Sequence, residues 1–129
     1  MLNNCVIIGR LTRDPELRYT AGDAIPVATF SLAVERSYKN KAGEKEVDFI
    51  NIVTWNKLAE HVTNYLTKGS MCAVVGRLQI RSYEDREGVK RKVAEIVAEN
   101  VRFLSINRKE DTESEETQVA PEEVEDDDL

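Results

Sequence analysis

Between residues 27 and 36 the chain alternates: Ala28, Phe30, Leu32 and Val34 are apolar, while Thr29, Ser31 and Glu35 between them are polar. Residues two apart share a face of an extended strand, so this run reads as a strand with one face on a core. The same period returns at 71–83. There Cys72, Val74, Leu78 and Ile80 fall on one side, and Arg77, Gln79, Arg81 and Tyr83 on the other. A period of two that keeps returning commits most of the chain to a sheet around one apolar interior.

The remaining segments fit that frame. Cys5, Val6, Ile7 and Ile8 form an apolar, mostly β-branched run that reads as a buried strand continuing toward Leu11. Asp14-Pro15 marks a turn, and residues 17–20 read as a short extension of the first strand. In the strand at 46–56, Ile50 and Ile52 share one face and Phe49, Asn51, Val53 and Trp55 the other, so both faces are partly apolar. At 57–68 the period changes: Leu58, Val62, Tyr65 and Leu66 lie on one helical face, with Gly69 in the place of a C-cap glycine. Residues 89–96 and 101–106 read as two further strands, and Gly43 and Gly88 sit in polar hairpin loops. About five strands, with one helix between the third and fourth, describe an all-β barrel of the five-stranded OB type.

Charge divides the chain in two. All 18 basic residues stand in residues 1–109 with 13 of the acids, a surplus of five positive charges. Residues 110–129 hold the other 11 acids and no Lys or Arg. The reading is a folded body, 1–106, and an acidic, disordered tail, 107–129. No apolar run approaches the roughly 18 residues of a membrane span, and no signal peptide is visible, so a cytoplasmic protein is expected. Cys5 and Cys72 read as small buried hydrophobes rather than a disulfide. One histidine, His61, excludes His/Cys zinc sites and reads as a surface helical residue. Neither a phosphate-cradling glycine loop nor a nucleophile elbow is present, so no enzyme, metal or cofactor is expected.

What stands out is aromatic and basic residues together on strand faces. Tyr83 shares a face with Arg77 and Arg81, Trp55 with Phe49 and Asn51, and Tyr38 leads into a loop with Lys39, Lys41 and Lys45. Exposed rings stack on nucleobases and cations hold phosphates, which is how single strands are bound without regard to sequence. At this level the alternatives stay open: Trp55 and Phe49 as a subunit contact, Arg77 and Arg81 as a solvated face, Tyr65 as core.

Residues 4–18 (NCVIIGRLTRDPELR), 28–37 (ATFSLAVERS), 48–60 (DFINIVTWNKLAE), 65–76 (YLTKGSMCAVVG) and 77–83 (RLQIRSY) resemble, in order, the bacterial single-stranded DNA-binding protein family. The resemblance covers about residues 1–105. It implies an OB fold, a homotetramer, tight binding of single-stranded DNA, and an acidic tip that recruits replication, repair and recombination proteins. It places stacking at Tyr38, Phe49, Trp55 and Tyr83. Arg10, Arg36, Lys39, Lys57, Arg77 and Arg81, in the same segments, are the candidates for phosphate contacts. The family's tip commonly ends in several Asp, an aliphatic residue, Pro and Phe. This chain reads Asp126, Asp127, Asp128, Leu129, so Leu129 would supply the apolar group, and partner docking is expected to be weakened or altered if that tip is native. Two other readings remain: a same-fold accessory factor that binds DNA weakly, and an interaction protein whose tail mimics nucleic acid.

Overall fold

The computed structural model describes residues 1–107. The elements run β1 (Cys5–Leu11), β2 (Glu16–Tyr19), β3 (Pro26–Lys39), β4 (Lys45–Trp55), α1 (Asn56–Tyr65), β5 (Met71–Glu84) and β6 (Lys90–Ser105). Strand neighbours follow the order β1-β5-β6-β4-β3-β2. Arg10 and Leu11 of β1 also pair with Ala33 and Leu32 of β3, which closes β1, β5, β6, β4 and β3 into a five-stranded barrel. All pairs are antiparallel except β4 with β6, which run parallel. This is the OB-type barrel expected, with its helix between the third and fourth barrel strands.

The core lies inside the closed sheet. Phe30, Leu32, Ile52, Cys72, Val74 and Val101 are fully buried, and α1 plugs the barrel with Val62, followed by Leu66. Tyr65 packs partly buried against this cluster, its ring 6.1 Å from that of Phe103. Burial of this apolar set at roughly 25 cal/mol per Å² is the main force holding the barrel closed.

Five local expectations are corrected. Residues 5–8 are not a buried run: Cys5 and Ile7 face inward, but Val6 and Ile8 are exposed. Residues 16–19 do not extend β1; they fold back as β2 and pair with β3 from Glu16↔Thr29 to Tyr19↔Pro26, since Asp14-Pro15 reverses the chain. Residues 90–105 form one unbroken strand rather than two. Leu78 and Ile80 keep the face of Cys72 and Val74 but do not join them in the core: β6 bulges at Glu99, opposite Val75 and Gly76, and the far end of β5 runs on beyond the barrel as a β5–β6 arm. A side chain at Gly76 would collide with the carbonyl oxygen of Val97, so the close approach at this bulge requires glycine. Gly69 is not the helix C-cap, which is Leu66 in extended conformation. With φ of +90° it turns the 67–70 segment instead, where Ser70 N–H donates to Thr67 and Gly69 N–H to Leu11.

Candidate nucleic-acid interface

Cross-strand partners share a face of a sheet, so the register shows which outward side chains lie together. One row runs Glu16–Thr29–Val53–Val97–Arg77 across β2, β3, β4, β6 and β5. Beside it runs Ser31–Asn51–Glu95–Gln79. At one end Arg18 stands opposite Val27 and Val27 opposite Trp55. At the other, Arg10 stands opposite Ala33 and Ala33 opposite Phe49. Toward the arm come Arg81 opposite Val93 and Tyr83 opposite Arg91. Trp55, Phe49, Tyr83, Arg77, Arg81 and Arg10 therefore lie on one continuous outer surface, although they come from three strands.

The rings on it are open to solvent: Phe49 is 68% exposed, Tyr83 46% and Trp55 42%. Phe49 and Trp55 are six residues apart on β4, about 20 Å of strand, which leaves room for several bases between them. Trp55 is the last residue of β4, and the chain turns at once through Asn56, whose φ of +61° lies in the left-handed region, into α1. Tyr38, 64% exposed, stands near the end of β3, where the β3–β4 register shifts between Glu35 and Lys39 and the hairpin projects. The three aromatics of β4 and β5 share the face described; Tyr38 belongs to the hairpin arm at its border.

Between the rings lies a shallow groove of about 220 Å³, lined by Arg13, Arg18, Thr29, Asn51, Val53, Arg81 and Glu95 together with inward residues of β3 and β4. Arg13, Arg18 and Glu95 were not singled out from the sequence. Arg13 and Arg18 flank the Asp14-Pro15 turn, and only the reversal of β2 onto β3 brings them to this face. The Thr-Ser-polar alternation of β3 carried no sign of which partner would stand beside it.

The phosphate candidates separate by what their donors already hold. Arg36 is engaged through all three nitrogens: Nε and Nη2 donate to the two carboxylate oxygens of Asp48 at 3.0 and 2.9 Å, and Nη1 to Glu46 at 2.8 Å. The Arg36 guanidinium holds the Asp48 carboxyl below the usual carboxylate range, and Asp48 in turn raises the guanidinium's pKa. Arg10 donates Nη1 to the Gly69 carbonyl at 2.9 Å. Arg81 donates Nε to both oxygens of Glu95, 3.2 Å each. Lys39, Lys57 and Arg77 are exposed, at the β3 end, in the first turn of α1 and on the Glu16–Arg77 row. In the β5–β6 tip, Asp85 is held below its usual range by the backbone N–H of Val89 and by Arg91.

Three other expectations concern chemistry elsewhere. Both thiols are free; Cys72 is buried and its pKa is pushed up to about 12 by burial, whereas Cys5 is only half-buried. His61 is half-buried rather than a surface residue, its ring edge-on to Tyr65 at 6.5 Å. No group of side chains among the described residues has the makings of a metal site, and no helix among them is long and apolar enough to cross a membrane. The tail candidates Asp126, Asp127, Asp128 and Leu129 lie outside the described residues.

Residues 2–104 match the model of the Single-strand binding protein family. The chain belongs to that family. It is 57% identical over 104 residues to the single-stranded DNA-binding protein of Halalkalibacterium halodurans, covering 81% of this chain and 61% of that one. It is likewise 57% identical over 104 residues to single-stranded DNA-binding protein A of Bacillus subtilis, covering 60% of it. Over 113 residues it is 50% identical to the single-stranded DNA-binding protein of Staphylococcus aureus, covering 72%. The chain thus spans about three-fifths of the length of the first two relatives. The match to the family takes in every residue of the outer face described above.

Proposed function

We propose that this chain binds single-stranded DNA without sequence preference, coating and protecting it during replication, repair and recombination. The observation that carries this reading is the register: exposed Phe49, Trp55 and Tyr83 stand on one outer face with Arg10, Arg77 and Arg81. Bases stack on the rings, with Tyr38 adding a fourth at the border, and phosphates meet Arg10, Lys39, Lys57, Arg77 and Arg81. Arg36, engaged by Asp48 and Glu46, contributes by holding the β3–β4 hairpin. Stacking needs unpaired bases, so single strands are preferred over duplex. The protein acts by binding, without catalysis or cofactor, in the cytoplasm at the nucleoid.

A homotetramer suits the same surface. Val6 and Ile8 project from β1 with 64% and 54% exposure, next to the outward Ala73 and Val75 of β5. From Cys5 to Gly9, β1 pairs only with β5 among the described residues, which leaves its other edge open to a second copy. The acidic tail, with Asp126, Asp127, Asp128 and Leu129, recruits replication and repair proteins.

The experiment is a titration with poly-thymidine at low and moderate salt, following the fluorescence of Trp55, the chain's single tryptophan. Strong quenching is expected, with an affinity that falls as salt rises by about 0.7 in log–log slope per phosphate contacted. Absence of binding at low salt would overturn the reading.

A further inference from the structure

Glu95 is the only buried carboxylate among the described residues, with 6% of its surface exposed. It stands in the middle of the outer face, between Asn51 on β4 and Gln79 on β5. A carboxylate is costly there in two ways. Burial strips it of water, a cost that an apolar residue of similar size avoids. Its charge also opposes any polyanion that crosses the face. Something must offset both.

Its partner is Arg81, and the contact is end-on. Both Glu95 oxygens accept from Nε of Arg81 at 3.2 Å. Nη1 and Nη2, which carry four of the five guanidinium N–H donors, make no hydrogen bond among the described residues. The Arg81 side chain is 56% exposed against 7% for that of Glu95. The carboxylate is the fixed floor, and the free fork stands at the groove that Arg13, Arg18 and Asn51 also line. Arg36 shows the contrast within the same molecule: there all three nitrogens donate to Asp48 and Glu46, so neither Nη is left without a carboxylate.

We propose that Glu95 is a positioning residue for single-strand binding: it grips Arg81 by Nε from beneath the groove and presents Nη1 and Nη2 to one phosphate as a two-pronged donor. An arginine loses much rotamer freedom when it is fixed by a ligand. Held by Glu95, Arg81 loses that freedom on folding, before the strand arrives, and the planar fork matches a phosphate's oxygens. The inference rests on the reading that this face takes single-stranded DNA.

The test measures poly-thymidine affinity across a salt series for the full chain and for Arg81→Ala, Glu95→Ala, Glu95→Gln and the double variant Arg81→Ala/Glu95→Ala, with thermal unfolding as a check on folding. Arg81→Ala and Glu95→Ala should each weaken binding roughly tenfold and flatten the log–log salt slope by about 0.7, the loss of one phosphate. The double variant should bind no more weakly than Arg81→Ala. Glu95→Gln keeps the shape and one acceptor, and should fall between the full chain and Glu95→Ala. If Glu95→Ala does not fold, Glu95→Gln carries the test: its effect must vanish in the Arg81→Ala background. Unchanged or tighter binding by Glu95→Ala or Glu95→Gln, or losses that add in the double variant, would overturn the proposal while the DNA-binding reading stands. If the unsubstituted chain itself fails to bind, the functional reading falls, and this inference with it.

Discussion

The two faces of β4 are made of similar residues and do different work. Inward, Ile50, Ile52 and Thr54 meet the core, and Ile52 and Thr54 have no exposed surface at all. Outward, Phe49 and Trp55 carry more apolar surface than either isoleucine, yet stay open to solvent. Hydrophobicity does not separate them; closure of the barrel does. Once β1 meets β3, only the inner side of each strand faces the closed core, and on the outer side burial is confined to mid-sheet residues such as Val53, Glu95 and Val97. Large rings left on the other side have no core to join. Under the proposed function, that is where a base meets them.

The division can be broken most forcefully from inside. Ile52→Ala should cost about 2–5 kcal/mol of stability through the cavity it leaves, measured by denaturant unfolding, while the folded fraction keeps its affinity for poly-thymidine. A loss of affinity as large as the loss of stability would show that the two faces are not independent. From outside, Trp55→Ala should weaken binding by roughly 1–3 kcal/mol and leave the unfolding midpoint almost unchanged. Full affinity in that variant would return Trp55 to a subunit contact. Thr54→Val probes the inner face more finely. The Thr54 hydroxyl donates to the Ala28 carbonyl at 3.0 Å in a fully buried setting, and its loss should cost about 1 kcal/mol with no effect on DNA binding.

The smallest effect lies at the arms. Asp48 and Asp85 are both held below the ordinary carboxylate range, by Arg36 and by Val89 N–H respectively. A depressed folded-state pKa contributes stability above the unfolded value near about 4 and loses it as pH falls through the folded value. Acidification below that point should therefore loosen the β3–β4 and β5–β6 tips before the barrel, seen as faster amide hydrogen exchange confined to the tips. Equal protection of the tips and β1 at low pH would show that these carboxylates do not hold the arms.

Much of this was legible in the residues. The alternation of Ala28, Phe30, Leu32 and Val34 survives as the inward side of β3, and the helical period at Leu58 and Val62 survives as α1. Phe49, Asn51 and Trp55 do share a face, and so do Arg77, Arg81 and Tyr83. Leu78 and Ile80 misled because periodicity says which residues share a face, not whether a core lies beneath it; both are exposed, and beyond Gln79 the β5–β6 pair has no β4 neighbour. Arg13 and Arg18 were hidden because their place depends on β2 folding back on β3. Arg36 looked like the other exposed cations, since Asp48 and Glu46 lie on the next strand and only the hairpin register brings them within 3 Å.

The sequence by itself determined the period of each segment, the place of the single helix, and the segregation of acid into the last 20 residues, because these depend on neighbours in the chain. Only the tertiary structure decided which apolar faces are buried, which arginines keep free donors, and that one carboxylate stands under the groove. Those outcomes depend on which strands become neighbours, and cross-strand distances of about 5 Å join residues that lie far apart in the chain.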